Sequence, residues 1–264
     1  MINPLDKYDF GARLCPSLVV LFPIELVCFS WVSKPVDLLK PLIGAGVGAG
    51  LSLLLANIAR YYGKLTEPKL IEEWGGLPST IMLRFSDNSL DTETKRRYHE
   101  VLGRLVPGAH IPTEPEEQAD PTHADDVYKS CCKWLLEHTR DQKLFNLLFK
   151  ENIYYGYHRN LFGLRPFGIA IALLGMIACF WKVIDEYRSH IAMNPISILC
   201  SLTALGFVLM WLFAINSRFV RQAGDAYAMR LLASCDVLGK GSPSETAAKP
   251  TSRKKKGSAS DEAT

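Results

Sequence analysis

The chain has 264 residues, with 30 Lys and Arg against 27 Asp and Glu, a net charge of +3, 48% apolar residues and a mean hydropathy of +0.06. A net charge this small does not by itself imply nucleic acid. Seven cysteines give neither a disulfide pattern nor a CxxC or Cys/His metal spacing, which points to a reduced, cytosolic soluble part.

The averages look soluble only because they blend apolar and polar segments. In 19-residue windows the apolar stretches fall at 14–32, 38–59, 166–184 and 193–215, two pairs flanking a polar segment of roughly a hundred residues. No small-residue cleavage site closes the first run, so it reads as a span rather than a signal peptide, and no lipidation motif is evident. Four spans place both termini and the middle segment on one side. Lys7, Arg13, Arg60, Lys64, Lys69, Lys150, Arg159, Arg218, Arg221 and Arg230 lie there, against Lys34, Lys182 and Arg188 opposite. The positive-inside rule makes that side the cytoplasm and the membrane the inner one.

Span one holds Pro16, Pro23 and Glu25. Lipid offers a mid-depth carboxylate no partner, so Glu25 is either a pore or gate group or a hydrogen-bonded group that packs helices. Span two carries Gly44, Gly46, Gly48 and Gly50, two overlapping GxxxG spacings that suit close helix contact within or between subunits. With no strand before it and no Lys-Ser or Lys-Thr after it, this run is not a phosphate loop. Span three opens at Arg165-Pro166 and span four at Asn194-Pro195. Apolar positions at Phe219, Ala223, Ala226, Tyr227 and Leu231 predict that span four continues as an amphipathic helix to about Leu238, and the Gly-, Ser- and Lys-rich tail after it reads as disordered.

In the middle segment, 79–85 (Ser-Thr-Ile-Met-Leu-Arg-Phe) reads as one strand. A helix is expected over 91–105, a Pro- and acid-rich loop over 107–120, a helix from Pro121 or Thr122 to about His138, and another from Arg140 to Ile153.

Three clusters carry chemistry. Lys95, Arg96 and Arg97 with His99 either grip phosphate or form a solvated face. Thr139-Arg140-Asp141 sits at a helix junction, where capping competes with ligand contact. The run 151–161, with Tyr154, Tyr155, Tyr157, His158, Arg159 and Asn160, suits stacking and phosphate contact with a single-stranded nucleic acid or nucleotide. It equally suits a membrane-interface belt. No nucleophile elbow, HExxH or paired carboxylates occur, so neither an enzyme, a metal nor a cofactor is expected.

Through Trp74-Gly75-Gly76-Leu77-Pro78, Thr94-Lys95-Arg96-Arg97-Tyr98-His99, Thr139-Arg140-Asp141, Glu151-Asn152 and Arg159-Asn160-Leu161, residues 60–166 resemble a bacterial family of small membrane proteins. These are effectors of anti-phage defence operons of the Hailong type, paired with a nucleotidyltransferase. The resemblance implies an oligomeric pore whose opening harms the cell, controlled by a DNA oligomer or related nucleotide.

The expectation is therefore an all-α membrane protein, with four transmembrane helices in two hairpins and an α-rich cytoplasmic domain inserted between them. Its parts are a first hairpin (1–62), a sensor domain (63–165), a second hairpin with its helical extension (166–238) and a tail (239–264). The expected function is a homo-oligomeric channel or membrane-disrupting effector in contact with lipid. Lys95, Arg96, Arg97, His99, Arg140, Tyr155, Arg159 and Asn160 would bind the ligand, and Glu25 and the span-two glycines would form the pore or packing face. The alternative is a scaffolding membrane protein whose domain binds a protein partner.

Overall fold

The computed structural model describes residues 6–31, 39–190 and 192–240, and in 39–45 and 47–49 the backbone alone. The predicted tail from 241 onward lies outside the described residues, as do the surroundings of Gly44 and Gly48. The described residues contain helices and no strand. In chain order these are α1 (Cys15–Ser30, led by a π-helical turn Asp9–Leu14), α2 (Leu39–Glu73), α3 (Pro78–Ile81), α4 (Thr92–Leu105), α5 (Glu114–Ala119), α6 (Pro121–His138) and α7 (Asn146–Gly163). There follow α8 (Arg165–Arg188), α9 (Pro195–Leu209, closing in a π turn Met210–Ala214), α10 (Ser217–Ala233) and α11 (Cys235–Leu238).

Three helices are long and apolar enough to cross a membrane: Asp9–Ser30, Arg165–Arg188 and Pro195–Ala214, of 22, 24 and 20 residues. At 1.5 Å per residue each reaches about 30 Å or more, the thickness of the hydrocarbon layer. The second predicted span falls in the first part of α2. This helix is 35 residues long, about 52 Å, so it runs well past its apolar stretch. It stops where Gly75 (φ +77°) and Gly76 (φ +139°) take up conformations that favour glycine, with the Gly76 N–H donating to the Ile71 carbonyl at 2.9 Å.

The π turn before α1 has a chemical cause. In an α-helix the Ala12 carbonyl would accept from residue 16, but Pro16 has no N–H. The Cys15 N–H instead bonds back to Phe10, and the orphaned Ala12 carbonyl accepts from Asn160 Nδ2 of α7 at 2.7 Å. At the same end of the membrane-side layer, Arg165 Nε and Nη2 donate to the carbonyls of Trp211 and Leu212, at 3.1 and 2.9 Å, where the span-four helix stops.

The membrane-side helices meet through glycines scattered along the chain. A Cβ on Gly163 would fall 2.5 Å from Gly63 N and 2.7 Å from the Tyr62 carbonyl carbon, so α7 and α2 cross with their backbones in contact. Gly156 lies against Ala12, Gly168 against the Trp211 ring and Gly175 against Pro23. By contrast, a Cβ on Gly46 or Gly50 would meet nothing within 4 Å. The described part of the predicted GxxxG face thus has room for a methyl group at both glycines.

Outside the apolar layer, α3, α4, α6 and the start of α7 build a second core around Leu83, Leu102, Tyr128, Cys131 and Leu135. Ala228, Leu231, Leu232 and Cys235 of α10 and α11 complete it, so the segment after span four packs into the middle domain.

Several sequence expectations are corrected locally. The 79–85 strand is instead the short helix α3 followed by turns, because Pro78 starts a helix and buries Thr80, Met82 and Leu83 on one side. The 107–120 loop contains α5, whose start is fixed by the Thr113 N–H donating to Glu116 Oε2 at 2.7 Å. The helix expected from Arg140 begins at Asn146, because the Asp141 carboxylate accepts from Lys143 N and Leu144 N and holds a turn there. That helix then runs to Gly163 and into α8 across the single residue Leu164. Span four does not continue unbroken. Ile215 leaves the helical region, and Asn216 caps α10 by accepting from Phe219 N at 3.1 Å.

Candidate functional site

The predicted ligand residues divide into two groups and two outliers. On α7, Tyr155 and Arg159 meet at Glu67 of α2. Arg159 Nη1 lies 3.0 and 3.1 Å from the two Glu67 oxygens, and the Tyr155 hydroxyl donates to Oε1 at 2.9 Å. The ion pair is largely enclosed, with side-chain exposures of 11% for Arg159 and 26% for Glu67. Burial and the adjacent Glu67 carboxylate push the Tyr155 phenol well above its ordinary pKa, so it stays a donor. Tyr155 stacks flat on Tyr227 of α10, with ring centroids 6.0 Å apart. Asn160, one turn further, holds the Ala12 carbonyl. The network therefore ties α2, α7, α10 and the lead-in to α1 together directly beyond the apolar layer.

More bonds reinforce this junction. Trp74 Nε1 donates to Ser217 Oγ at 3.0 Å, joining the end of α2 to the start of α10. Arg84 makes a forked pair with Asp125, at 2.8 and 2.6 Å, while its Nη2 also donates to the Gly75 carbonyl. Beside the junction is a cavity of about 250 Å³, walled by Tyr155, Tyr227 and Cys132 with Lys129 and Lys133. No local spacing signals the pairings of Glu67, Trp74, Arg84 and Asp125, because their partners lie 41 to 143 positions away.

The second group is on α4. Lys95, Arg96 and His99 line a cleft of about 560 Å³ whose other walls include Phe85, Leu90, Ile111 and Pro112. Lys95 is buried, and its Nζ donates to the carbonyls of Arg84, at 2.6 Å, and Asp87. Burial pushes this ammonium below the ordinary lysine pKa. His99 is also buried. Its Nε2 lies 2.8 Å from the Leu83 carbonyl and so carries the proton, and its ring stacks on Tyr128. Arg96 is solvated and paired with Glu93 and Glu100. Arg97 turns away from the cleft to Asp236, at 2.9 Å. Arg140 stands alone at the surface, paired with Glu137. Among the described residues no cluster of His, Cys, Asp or Glu has metal-ligand geometry.

Burial holds the pKa of His99 and of His158, the latter enclosed by Tyr154 and Phe219, below the ordinary histidine value. Both are neutral in the fold but protonate near pH 6.5 when it unfolds. Stability is thus expected to be level above about pH 6.5. As pH falls from there toward the lowered folded values it should decline, by up to about 1.4 kcal/mol per pH unit for each histidine. Thermal melts at pH 7.5, 6.5 and 5.5 measure this, and His99→Gln with His158→Gln should flatten the slope. An unchanged slope in the double variant would assign the decline to other groups.

Glu25 occupies a different setting. With Leu18, Phe22 and Phe29 it shares one outward face of α1, those three side chains being 41 to 44% exposed. Glu25 itself is half-buried and has no hydrogen-bond or ion-pair partner among the described residues.

No protein-family model, curated protein or solved structure matches this chain.

Proposed function

We propose that this protein is an oligomeric channel or membrane-disrupting effector of the inner membrane, opened or closed by a ligand of its helical domain. It would cross the membrane four times, with both termini and the domain in the cytoplasm. The observation that carries the reading is Glu25, a carboxylate within the first span on an apolar outer face, with no hydrogen-bond or ion-pair partner among the described residues. A carboxylate facing lipid alone costs several kcal/mol, roughly 2.5–3.5 on insertion scales. Contact with a second copy around a hydrated path removes that cost. The bare face at Gly46 and Gly50 offers a surface for such a copy.

Coupling to the domain is supported by three helical paths that leave the apolar layer, through α2, α7–α8 and α9–α10. All three converge on the Glu67 junction and its Trp74–Ser217 bond. The resemblance implies a nucleotide or oligonucleotide as ligand and a nucleotidyltransferase as its source. The purified protein in dye-loaded liposomes tests the proposal. Dye or ion release should change several-fold with added oligonucleotide and again with Glu25→Ala. Release insensitive to both would sink it.

One observation favours the scaffolding alternative. Leu144, Leu147 and Tyr154 are about half exposed, and their spacing lines them along one side of the α7 region. A protein that co-purifies with the parent and is lost from Leu144→Ser/Leu147→Ser, with no liposome release, would support that reading.

A further inference from the structure

The cleft beside α4 holds a buried cation with no carboxylate in ion-pair contact among the described residues, although the charges of Asp87 and Glu117 act on it from farther off. Lys95 is 6% exposed, and among the described residues no carboxylate pairs with it. Its Nζ spends two of three hydrogens on the carbonyls of Arg84 and Asp87. Buried charges are ordinarily paired, because the loss of hydration is otherwise uncompensated. The space above it, about 560 Å³, is of small-molecule size, and Phe85, Leu90, Ile111 and Pro112 give it apolar walls.

The other charges of the cleft restrict what fits. Arg96 is taken by Glu93 and Glu100, and the Asp87 carboxylate accepts from Ser89 N at 2.9 Å. Asp87, Glu100 and Glu114 all belong to the lining. Each further negative charge on a ligand would be repelled by these three carboxylates, so a single anionic head, placed against the third Nζ hydrogen of Lys95, is disfavoured least.

We infer that this cleft binds a small monocarboxylic acid with an apolar body, its carboxylate on Lys95 and its body between Phe85, Leu90 and Ile111. The inference does not depend on pore formation, since the readout is binding.

The test is calorimetry on the full chain in lipid nanodiscs, with empty nanodiscs as the blank. Three probes share one body: 1-naphthylacetate, the uncharged 1-naphthaleneethanol and the dianionic 1-naphthyl phosphate. The acetate should bind at least tenfold more tightly than either of the others. Lys95→Met should abolish that preference while retaining the alcohol's weak binding. Gly103→Leu adds bulk to the cleft wall and leaves Lys95 untouched, so it should weaken acetate and alcohol alike by tenfold or more, and it serves if Lys95→Met does not fold. Equal binding of acid and alcohol, tighter binding of the phosphate, acetate binding indifferent to both substitutions, or no acetate binding at millimolar concentration would each overturn the inference. Binding as described with no liposome release would retain the site and remove the channel.

Discussion

Gly163→Ala is expected to destabilise the fold by about 1–3 kcal/mol, the usual cost of forcing atoms into a filled contact. Alanine is the better helix former by roughly 1 kcal/mol, so propensity alone would move stability the other way. The added methyl lands on the backbone of Tyr62 and Gly63, where no rotamer change makes room. Relief requires α2 and α7 to separate, which also opens the close approach of Asn160 to Gly63. Gly46→Ala and Gly50→Ala give the contrast, because their methyl groups meet nothing within 4 Å among the described residues. These two should leave the melting of the subunit unchanged or raised, and weaken self-association if the face is a contact between copies. Thermal melts of all three variants, with cross-linking in membranes, decide the matter. A Gly163→Ala protein that melts at or above the parent would show that α2 and α7 do not touch there.

That contrast also marks what the sequence makes legible. Dense glycines in span two announce a helix contact, yet among the described residues close helix contacts fall at Gly11, Gly63, Gly156, Gly163, Gly168 and Gly175, each isolated in sequence. A lone glycine matters only through what lies opposite, and Gly63 and Gly163 are a hundred positions apart. Local signals fare better. Asp91 caps α4 by accepting from Thr94 N, Pro121 opens α6, and Pro166 and Pro195 open α8 and α9. These are properties of a few neighbouring residues, which a spacing argument reads directly. The fate of a charge is not local. Lys95, Arg96 and Arg97 look alike in sequence, but a turn at 84–87 presents two carbonyls to Lys95, the helix surface pairs Arg96 with glutamates, and α11 delivers Asp236 to Arg97. Likewise, nothing near Ala228 to Cys235 reveals that this segment closes the core of a domain about a hundred residues earlier in the chain.

The second large effect is expected at Glu67. Glu67→Leu leaves the Arg159 guanidinium, 11% exposed, without its counter-ion, and leaves the Tyr155 hydroxyl without its acceptor. Breaking a buried pair from one side costs about 3–5 kcal/mol. The partial exposure of Glu67 places this case nearer 2–3 kcal/mol. Arg159→Leu alone should cost less, because Arg159 Nε is already buried without a partner and its removal relieves that loss. The double variant Glu67→Leu/Arg159→Leu should regain about half or more of the Glu67→Leu deficit, since apolar side chains of similar reach carry no desolvation penalty. Denaturant titrations of the four proteins form a closed cycle, and a coupling below about 0.5 kcal/mol would mean the two side chains act independently. The same double variant separates stability from transmission. Its fold is expected to persist, but the charged clamp joining α2 to α7 is gone. If the domain governs the spans through this junction, release from liposomes should continue in the double variant and cease to respond to ligand. A response equal to the parent's would route the coupling through the Trp74–Ser217 and Arg84–Asp125 contacts instead.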